Sequence, residues 1–318
     1  MAAAKKINIG ISACLVGQKV RYNGDGLRPH LINDLFAGYF NYIPFCPEVG
    51  IGMDVPHETI RLEKKDNEIR LRSSSGENDY TDKMLDYSAT KTEALSHLQI
   101  SGFILKKDSP TCGLERVKIY GNGGVPDKSG VGMFASALRA KFPLFPMEEE
   151  GRLNDIRLRE RFIEHVFAFR RLQDFLEDSP NLGKLMAFHT GHKMQLMAHN
   201  PEKYRRLGHA VANAKKEDLS SFLAEYSTTF LEIMATAVSH KKQTDVLYHM
   251  FGFFKKIISS SEKQEFMRLV EQYKKQMIPM IVPITMLRHY LQKYPQPWLQ
   301  AQVFFDPYPE EMLLRSYL

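Results

Sequence analysis

No stretch of this sequence is apolar for the ~20 residues that a membrane-crossing helix requires. The longest apolar candidate, Met277 to Leu287, is short and broken by Pro279 and Pro283. The first 17 residues, Lys5 and Lys6 followed by Ile7 to Gly17, imitate a secretory leader, but Asn8 and Ser12 interrupt the run and no small-residue cleavage site follows. A cytoplasmic protein with no membrane partner is the expectation. Cysteine is scarce: three in 318 residues, at positions 14, 46 and 112, with no Cys-x-x-Cys pair. That excludes a disulfide scaffold and the thioredoxin and zinc-ribbon signatures. Internal repeats and low-complexity tracts are absent. Hydrophobic content of 43% and charged content of 25% exclude a disordered or collagen-like chain. The length suits about two domains.

Charge divides the chain. Residues 1–170 carry 24 Lys/Arg and 22 Asp/Glu, a net +2, whereas residues 181–300 carry 17 against 9, a net +8, with seven of the eleven histidines. The second half suits a polyanionic partner such as nucleic acid.

The first half alternates strands and helices. Ile7 to Ala13, Tyr42 to Phe45 and Gly102 to Leu105 read as buried strands, with a further strand at Val117 to Tyr120. Thr59 to Arg72 reads as a hairpin about Lys65-Asp66-Asn67. Arg28 to Phe40, Thr81 to Gln99 (Thr81 as N-cap) and Val131 to Lys141 read as helices. This pattern predicts an α/β domain, Rossmann-like, with a mostly parallel sheet. Beyond it an amphipathic helix, Asn154 to Phe175, leads to the turn residues of Asp178 to Gly183. Helices follow over 184–199, 203–214, 218–239, 245–258, 261–277 and 284–294, with a capping box at Ser261 and Gln264 and Pro283 at the start of the last. Leu219, Phe222, Tyr226, Phe230, Ile233 and Ala237 form one apolar stripe. The expected division is 1–160, a connecting helix and linker over 161–183, and an all-α domain over 184–318.

Each cysteine closely follows a buried strand. In an open parallel sheet the carboxyl ends of the strands share the edge where ligands bind, so three distant cysteines are expected to converge there, where count alone would suggest inert buried thiols. Glycines and prolines crowd the same loops: Gly17, Gly24, Gly26, Pro47, Gly50, Gly52, Pro110, Gly113, Gly123 and Gly124. Converging thiolates favour zinc, Cu(I) or an iron–sulfur cluster. Three ligands would leave one iron of a cluster open as a Lewis acid. Zinc on three cysteines and a histidine, His30 or His57, is the competing reading.

The runs Ser12-Ala-Cys14-Leu-Val-Gly17, Arg21-Tyr-Asn-Gly24, Cys46-Pro-Glu-Val-Gly-Ile-Gly52, Ser109-Pro-Thr-Cys-Gly113 and Glu150-Gly-Arg-Leu153 resemble the thiouracil desulfidase family, in order, over about residues 5–160. The resemblance implies a four-iron, four-sulfur ([4Fe-4S]) cluster held by Cys14, Cys46 and Cys112. It implies non-redox exchange of a thiopyrimidine sulfur for water oxygen, with Glu48 and Ser109 in catalytic roles. Glu48 would act as base or proton donor, and Ser109 would orient the pyrimidine or water. Where that family commonly has Pro-Arg-Glu, this chain has Pro56-His57-Glu58.

Residues 184–310 resemble the helical domain that accompanies such desulfidases, on Phe188-His-Thr-Gly-His-Lys-Met194, Pro201 to Gly208 and Asp306-Pro-Tyr-Pro309. Fusions of this kind are similar to desulfidases of 4-thiouridine in tRNA, which implies a tRNA partner. Helix 184–199 puts His189, His192 and His199 near one face, with zinc on the histidines as an alternative. Lys193, Lys203, Arg205 and Arg206, interleaved with Tyr204, suit phosphates and unstacked bases. His189, His192, Lys193, Lys203, Tyr204, Arg205 and Arg206 are therefore the candidate RNA contacts. The rival functions are desulfuration of a free thiopyrimidine such as 2-thiouracil, RNA thiolation, for which no Walker or Ser-Gly-Gly-x-Asp-Ser motif is present, and a non-enzymatic, metal-stabilised RNA-binding protein.

Overall fold

The computed structural model describes residues 6–66, 68–121 and 125–317. Lys5, Asn67, Gly123 and Gly124, on which the sequence reading also drew, lie outside them. The chain divides into two compact units, Met1–Phe162 and Ile163–Leu318.

The first unit contains β1 (Ile7–Ser12), β2 (Phe40–Phe45), a helical turn α1 (Pro47–Gly50), β3 (Ile60–Lys65), β4 (Glu68–Ser73), α2 (Thr81–Ser96), β5 (Phe103–Leu105), β6 (Val117–Tyr120), β7 (Asp127–Gly130), α3 (Met133–Lys141) and β8 (Met147–Glu149). One sheet has the order β2-β1-β5-β8, and every pairing in it is parallel. Its central strands are apolar because both faces are covered. Ile9 and Ile11 of β1 and Ile104 and Leu105 of β5 are fully buried. At roughly 1.5–3 kcal/mol per buried aliphatic side chain, they anchor the unit.

The parallel sheet answers the fold expected from sequence, but a second sheet accompanies it. The hairpin β3–β4 pairs through β3 with β6, and β6 with β7, giving the order β4-β3-β6-β7. Val117 to Tyr120 is thus a strand of this mixed sheet rather than of the parallel one. Arg28 to Phe40 is not one long helix. A single wide turn covers Leu31–Leu35 and Phe40 opens β2. Asn33 donates its side-chain amide to the Leu15 and Pro29 carbonyls, at 3.1 and 3.0 Å. Such side-chain bonding competes with helix propagation. Thr81 is the first residue of α2 rather than its cap, and its hydroxyl accepts from the Leu71 amide at 2.9 Å.

A 22-residue helix, α4 (Ile156–Glu177), runs across the boundary between the units. The second unit continues with α5 (Leu182–His199), α6 (Pro201–Ala212), α7 (Leu219–Ala235), α8 (His240–Phe251), α9 (Ser260–Lys274), α10 (Ile281–Lys293) and the turn α11 (Pro297–Gln300). Asn181, Asn200 and Ser239 cap α5, α6 and α8 through their side chains. The capping box of α9 is Ser259 with Glu262, two residues before the expected pair. Three consecutive serines blur that register in the sequence. α7 stops at Ala235, so Ala237 falls outside the stripe, while Tyr226, Phe230 and Ile233 are fully buried. Among the described residues no helix is long and apolar enough to cross a membrane.

A buried polar chain runs through this unit. Arg171 donates to His192 Nε2 (3.1 Å) and to the Pro307 carbonyl (2.7 Å). Gln195 donates to Glu164 at 2.7 Å, and Glu164 faces His199 Nε2 at 3.5 Å. Burial alone would raise the Glu164 carboxyl, but the charge and hydrogen bond of His199, with Arg315 and Gln195, hold it down at about 2. A carboxyl held low contributes stability that is present above its ordinary value of 4.5 and lost as pH falls from there toward 2. Glu164→Gln is expected to destabilise this unit near neutral pH by ~3 kcal/mol and to flatten the acid limb of its stability. The only tryptophan, Trp298, packs against this unit's core, so its fluorescence during unfolding checks both effects.

Candidate active site

Parallel pairing brings the three cysteines together. Cys14 sits in the single turn Ala13–Val16 directly after β1, Cys46 directly follows β2, and Cys112 ends the loop that leaves β5. These are three adjacent strands, so their carboxyl ends open on one edge. There Cys14, Cys46, Cys112, Glu48 and Ser109 all line one cavity of about 460 Å³. Glu150, immediately after β8, stands at the same edge of the fourth strand. It takes the Lys106 ammonium at 2.7 Å and the Lys107 amide at 2.7 Å.

Local structure holds each thiol. The Cys14 turn closes on Gly17, whose φ of +84° suits glycine, and the Cys14 carbonyl accepts from the Leu27 amide at 2.6 Å. Cys46 precedes α1, with Pro47 starting the helical turn. The Cys112 loop is held by the start of α3. The Gly132, Met133 and Ala135 amides donate to the Gly113, Pro110 and Thr111 carbonyls at 2.7, 3.1 and 3.1 Å. A Cβ on Gly132 would lie 2.5 Å from the Thr111 backbone, so only glycine permits this approach.

The thiols are costly to ionise in this setting. Burial pushes Cys14 up to about 12, against the pull of Lys106 and with a further push from Cys46. Burial likewise pushes Cys112 up to about 12, opposed by hydrogen bonds from Ser12 and Thr111. Cys46 is raised by burial too, with the Val49 and Glu48 amides at the start of α1 opposing the shift. Cys14 and Cys112 are buried and Cys46 partly so, and any metal group held here would have to displace the thiol protons. Among the described residues, no three His, Cys, Asp or Glu side chains are grouped so as to hold a single metal ion.

Glu48 is clamped from two sides. Thr111 Oγ1 donates to its Oε1 at 2.9 Å, and His57 Nε2 stands 3.2 Å from its Oε2. The His57 ring is fixed by its Nδ1, which donates to the Glu58 carbonyl at 2.8 Å. The hydrogen bond to Glu48 raises His57 above its ordinary value despite burial. Ser109 is committed to the loop: its Oγ accepts from the Thr111 and Cys112 amides at 3.2 and 3.1 Å and meets Thr111 Oγ1 at 3.0 Å. With Thr111 donating to Glu48, Ser109 donates to Thr111, giving a continuous run of hydroxyls to the carboxylate. Sequence reasoning passed over Thr111 and met His57 only as a departure and as a candidate zinc ligand. Both stand in the quoted motifs, but their link to Glu48 is tertiary.

The candidate RNA contacts of the second unit sort differently. His192 is 3% exposed. Its Nδ1 bonds the Phe188 carbonyl and its Nε2 accepts from Arg171. Burial and Arg171 lower it to about 3, so it is a neutral core residue with no free polar atom. The expectation that it contacts RNA is corrected on that ground. The Lys203 ammonium is paired with Glu232 at 2.7 Å. Arg206 is exposed. His189, Lys193, Tyr204 and Arg205 line one open groove.

Residues 9–150 match the family model for 2-thiouracil desulfurase, and residues 193–309 match a family described as a protein of unknown function, DUF1722. Among curated proteins, the chain is 28% identical over 151 residues to the uncharacterized protein YbgA of Escherichia coli (strain K12), covering 47% of this chain and 89% of that one. It is 28% identical over 152 residues to the uncharacterized protein YbbK of Bacillus subtilis (strain 168), covering 46% and 97%. Among solved structures, a [4Fe-4S]-dependent thiouracil desulfidase, TudS, is similar at 28% identity over 49% of this chain and 98% of its own, with a TM-score of 0.39. The desulfurase match thus falls within the first unit, over the motifs of its sequence, and the DUF1722 match within the second.

In metal-free protein near pH 8, Cys14 and Cys112 are expected to alkylate about a thousandfold more slowly than an unperturbed thiol, because their thiolate fractions fall with the shift from 9.0 to about 12. Mass-spectrometric rates with iodoacetamide, compared with a model peptide, check this.

Proposed function

We propose that this chain, a 2-thiouracil desulfurase domain joined to a DUF1722 domain, is a desulfidase that converts 4-thiouridine in tRNA to uridine. Water supplies the oxygen of the new carbonyl and sulfide leaves as hydrogen sulfide, without net oxidation or reduction. The observation that carries the reading is the meeting of Cys14, Cys46 and Cys112 with Glu48 in one cavity at the parallel-sheet edge.

The cofactor of this reading is a [4Fe-4S] cluster like that of the TudS neighbour, and Cys14, Cys46 and Cys112 would hold it. When bound, it supplies a Lewis-acidic iron with a soft preference for thiocarbonyl sulfur. The protein supplies placement and proton handling. The cavity volume is in the range of small-molecule sites. Glu48, held by Thr111 and His57, is fixed at the cavity wall, where its carboxylate takes a proton from the attacking water or hands one to a ring nitrogen. Ser109 keeps the Cys112 loop and the Thr111 hydroxyl in register with that carboxylate.

The choice of RNA over a free base rests on the second unit. A thiolated base within folded RNA must be extruded, at a cost of a few kcal/mol. A helical domain with net +8 over residues 181–300 is suited to supply the compensating binding. Its candidate contacts are Lys193, Tyr204, Arg205 and Arg206, with His189 beneath them.

Anaerobically prepared protein is expected to turn over 4-thiouridine-containing tRNA faster than free 2-thiouracil at equal concentration. Turnover of the free base alone would move the assignment to the free thiopyrimidine, and protein without iron or turnover would leave a metal-stabilised RNA-binding module. Cys14→Ser, Cys46→Ser and Cys112→Ser should each abolish activity and the visible absorption of the cluster. A second series isolates the clamp. Thr111→Val should keep the iron content and lower turnover by roughly 10–100-fold, in line with a misplaced general acid–base, whereas Thr111→Ser should restore it.

A further inference from the structure

A groove of about 360 Å³ lies wholly within the second unit, between α5 and α6. Its lining combines features that neither the fold nor the desulfuration chemistry requires. Lys193 and Arg205 supply two cations, no acidic side chain lines the groove, and neither cation is paired with a carboxylate among the described residues. Tyr204 gives a partly exposed aromatic face, and Met186 an exposed apolar rim.

His189 lies at the base of this groove, 3% exposed, with its ring near-parallel to Tyr204, 14° apart in plane. Its Nδ1 stands 3.4 Å from the buried Tyr226 hydroxyl. A buried phenol needs an acceptor, and Nδ1 serves as one, which leaves the proton of the neutral ring on Nε2. Nε2 has no hydrogen-bond partner among the described residues. Buried polar atoms are rarely left unpaired unless a ligand or water completes them. Gly208 lines the same groove, and a Cβ there would lie 3.5 Å from Nε2 and meet nothing else within 4 Å. A glycine in mid-helix costs stability relative to alanine, and here it leaves open the space beside the unpaired nitrogen.

We infer that this groove is a seat for one unpaired nucleotide of an RNA strand. Tyr204 and Met186 meet the base, His189 Nε2 donates to a base carbonyl or ring nitrogen, and Lys193 and Arg205 hold the adjoining phosphates. The two cations suit an anionic backbone, the aromatic face suits any base, and a single polar atom at the floor suits one base edge. The inference rests on RNA as the partner in the proposed function, and adds a discrete site outside the cavity of the cysteines.

The test uses the full chain and a labelled, short single-stranded oligoribonucleotide, with an unlabelled duplex of the same length as competitor. Gly208→Ala is the informative variant, because it strengthens the helix while placing a methyl over Nε2. It is expected to melt at or above the wild-type temperature and to bind the oligonucleotide about tenfold more weakly. Tyr204→Leu should weaken binding by a similar factor, within the range for loss of one base–aromatic stack. Lys193→Gln and Arg205→Gln should each lower the slope of log affinity against log salt by about 1. Wild-type affinity in both Gly208→Ala and Tyr204→Leu, or equal competition by the duplex, would overturn the seat. The two readings separate cleanly. Desulfuration of free base only, with oligonucleotide binding lost in the variants, removes the tRNA substrate and keeps the groove. Turnover of thiolated tRNA with undiminished binding in the variants removes the groove and keeps the substrate.

Discussion

Everything at the candidate site depends on parallel pairing of β1 with β2 and β5. Parallel strands point their carboxyl ends the same way, so a residue just beyond each strand reaches the same edge. Cys14, Cys46 and Cys112 occupy those places. An antiparallel partner at any of the three positions would send its cysteine to the opposite end of the sheet. The sheet is in turn held by apolar side chains on both of its faces, so the geometry of the three thiols is fixed by an apolar core that Cys112 itself joins.

Around that edge the structure solves two electrostatic problems. The three sulfurs, two buried and that of Cys46 partly so, disfavour their own charged forms, and Lys106 opposes this only for Cys14. Glu48 adds a further negative charge nearby, raising Cys14, Cys46 and Cys112 alike. The hydrogen bond from Thr111 and the close approach of His57 Nε2 hold that carboxylate in place. The pairing of His57 with Glu48 gives physical meaning to the one departure in the motif series. A histidine fixed by the Glu58 carbonyl meets the carboxylate at that place in this chain.

The parts that were legible in the sequence are those written in local pattern. Strand followed by cysteine is such a pattern, and so are the β3–β4 hairpin and most of the helices. The second sheet was harder to see because β7 is a polar Asp-Lys-Ser-Gly segment without apolar alternation. The Thr111–Glu48 and His57–Glu48 contacts join residues from different loops, and no spacing rule anticipates them. His192 shows the complementary limit. Helical periodicity groups residues on a face, but α5 is buried on several sides, including at Leu185, Met194 and Leu196. Its polar face therefore turns inward at His192, and only tertiary packing reveals that.

The wide separation of the thiols along the chain has a consequence for biogenesis. No short peptide of this protein carries all three cysteines, since Cys14 and Cys112 are about a hundred residues apart and loop closure over that length is entropically unfavourable before the sheet forms. On the proposed reading, an inorganic group that needs all three thiols would thus find its complete set only once the parallel strands have paired.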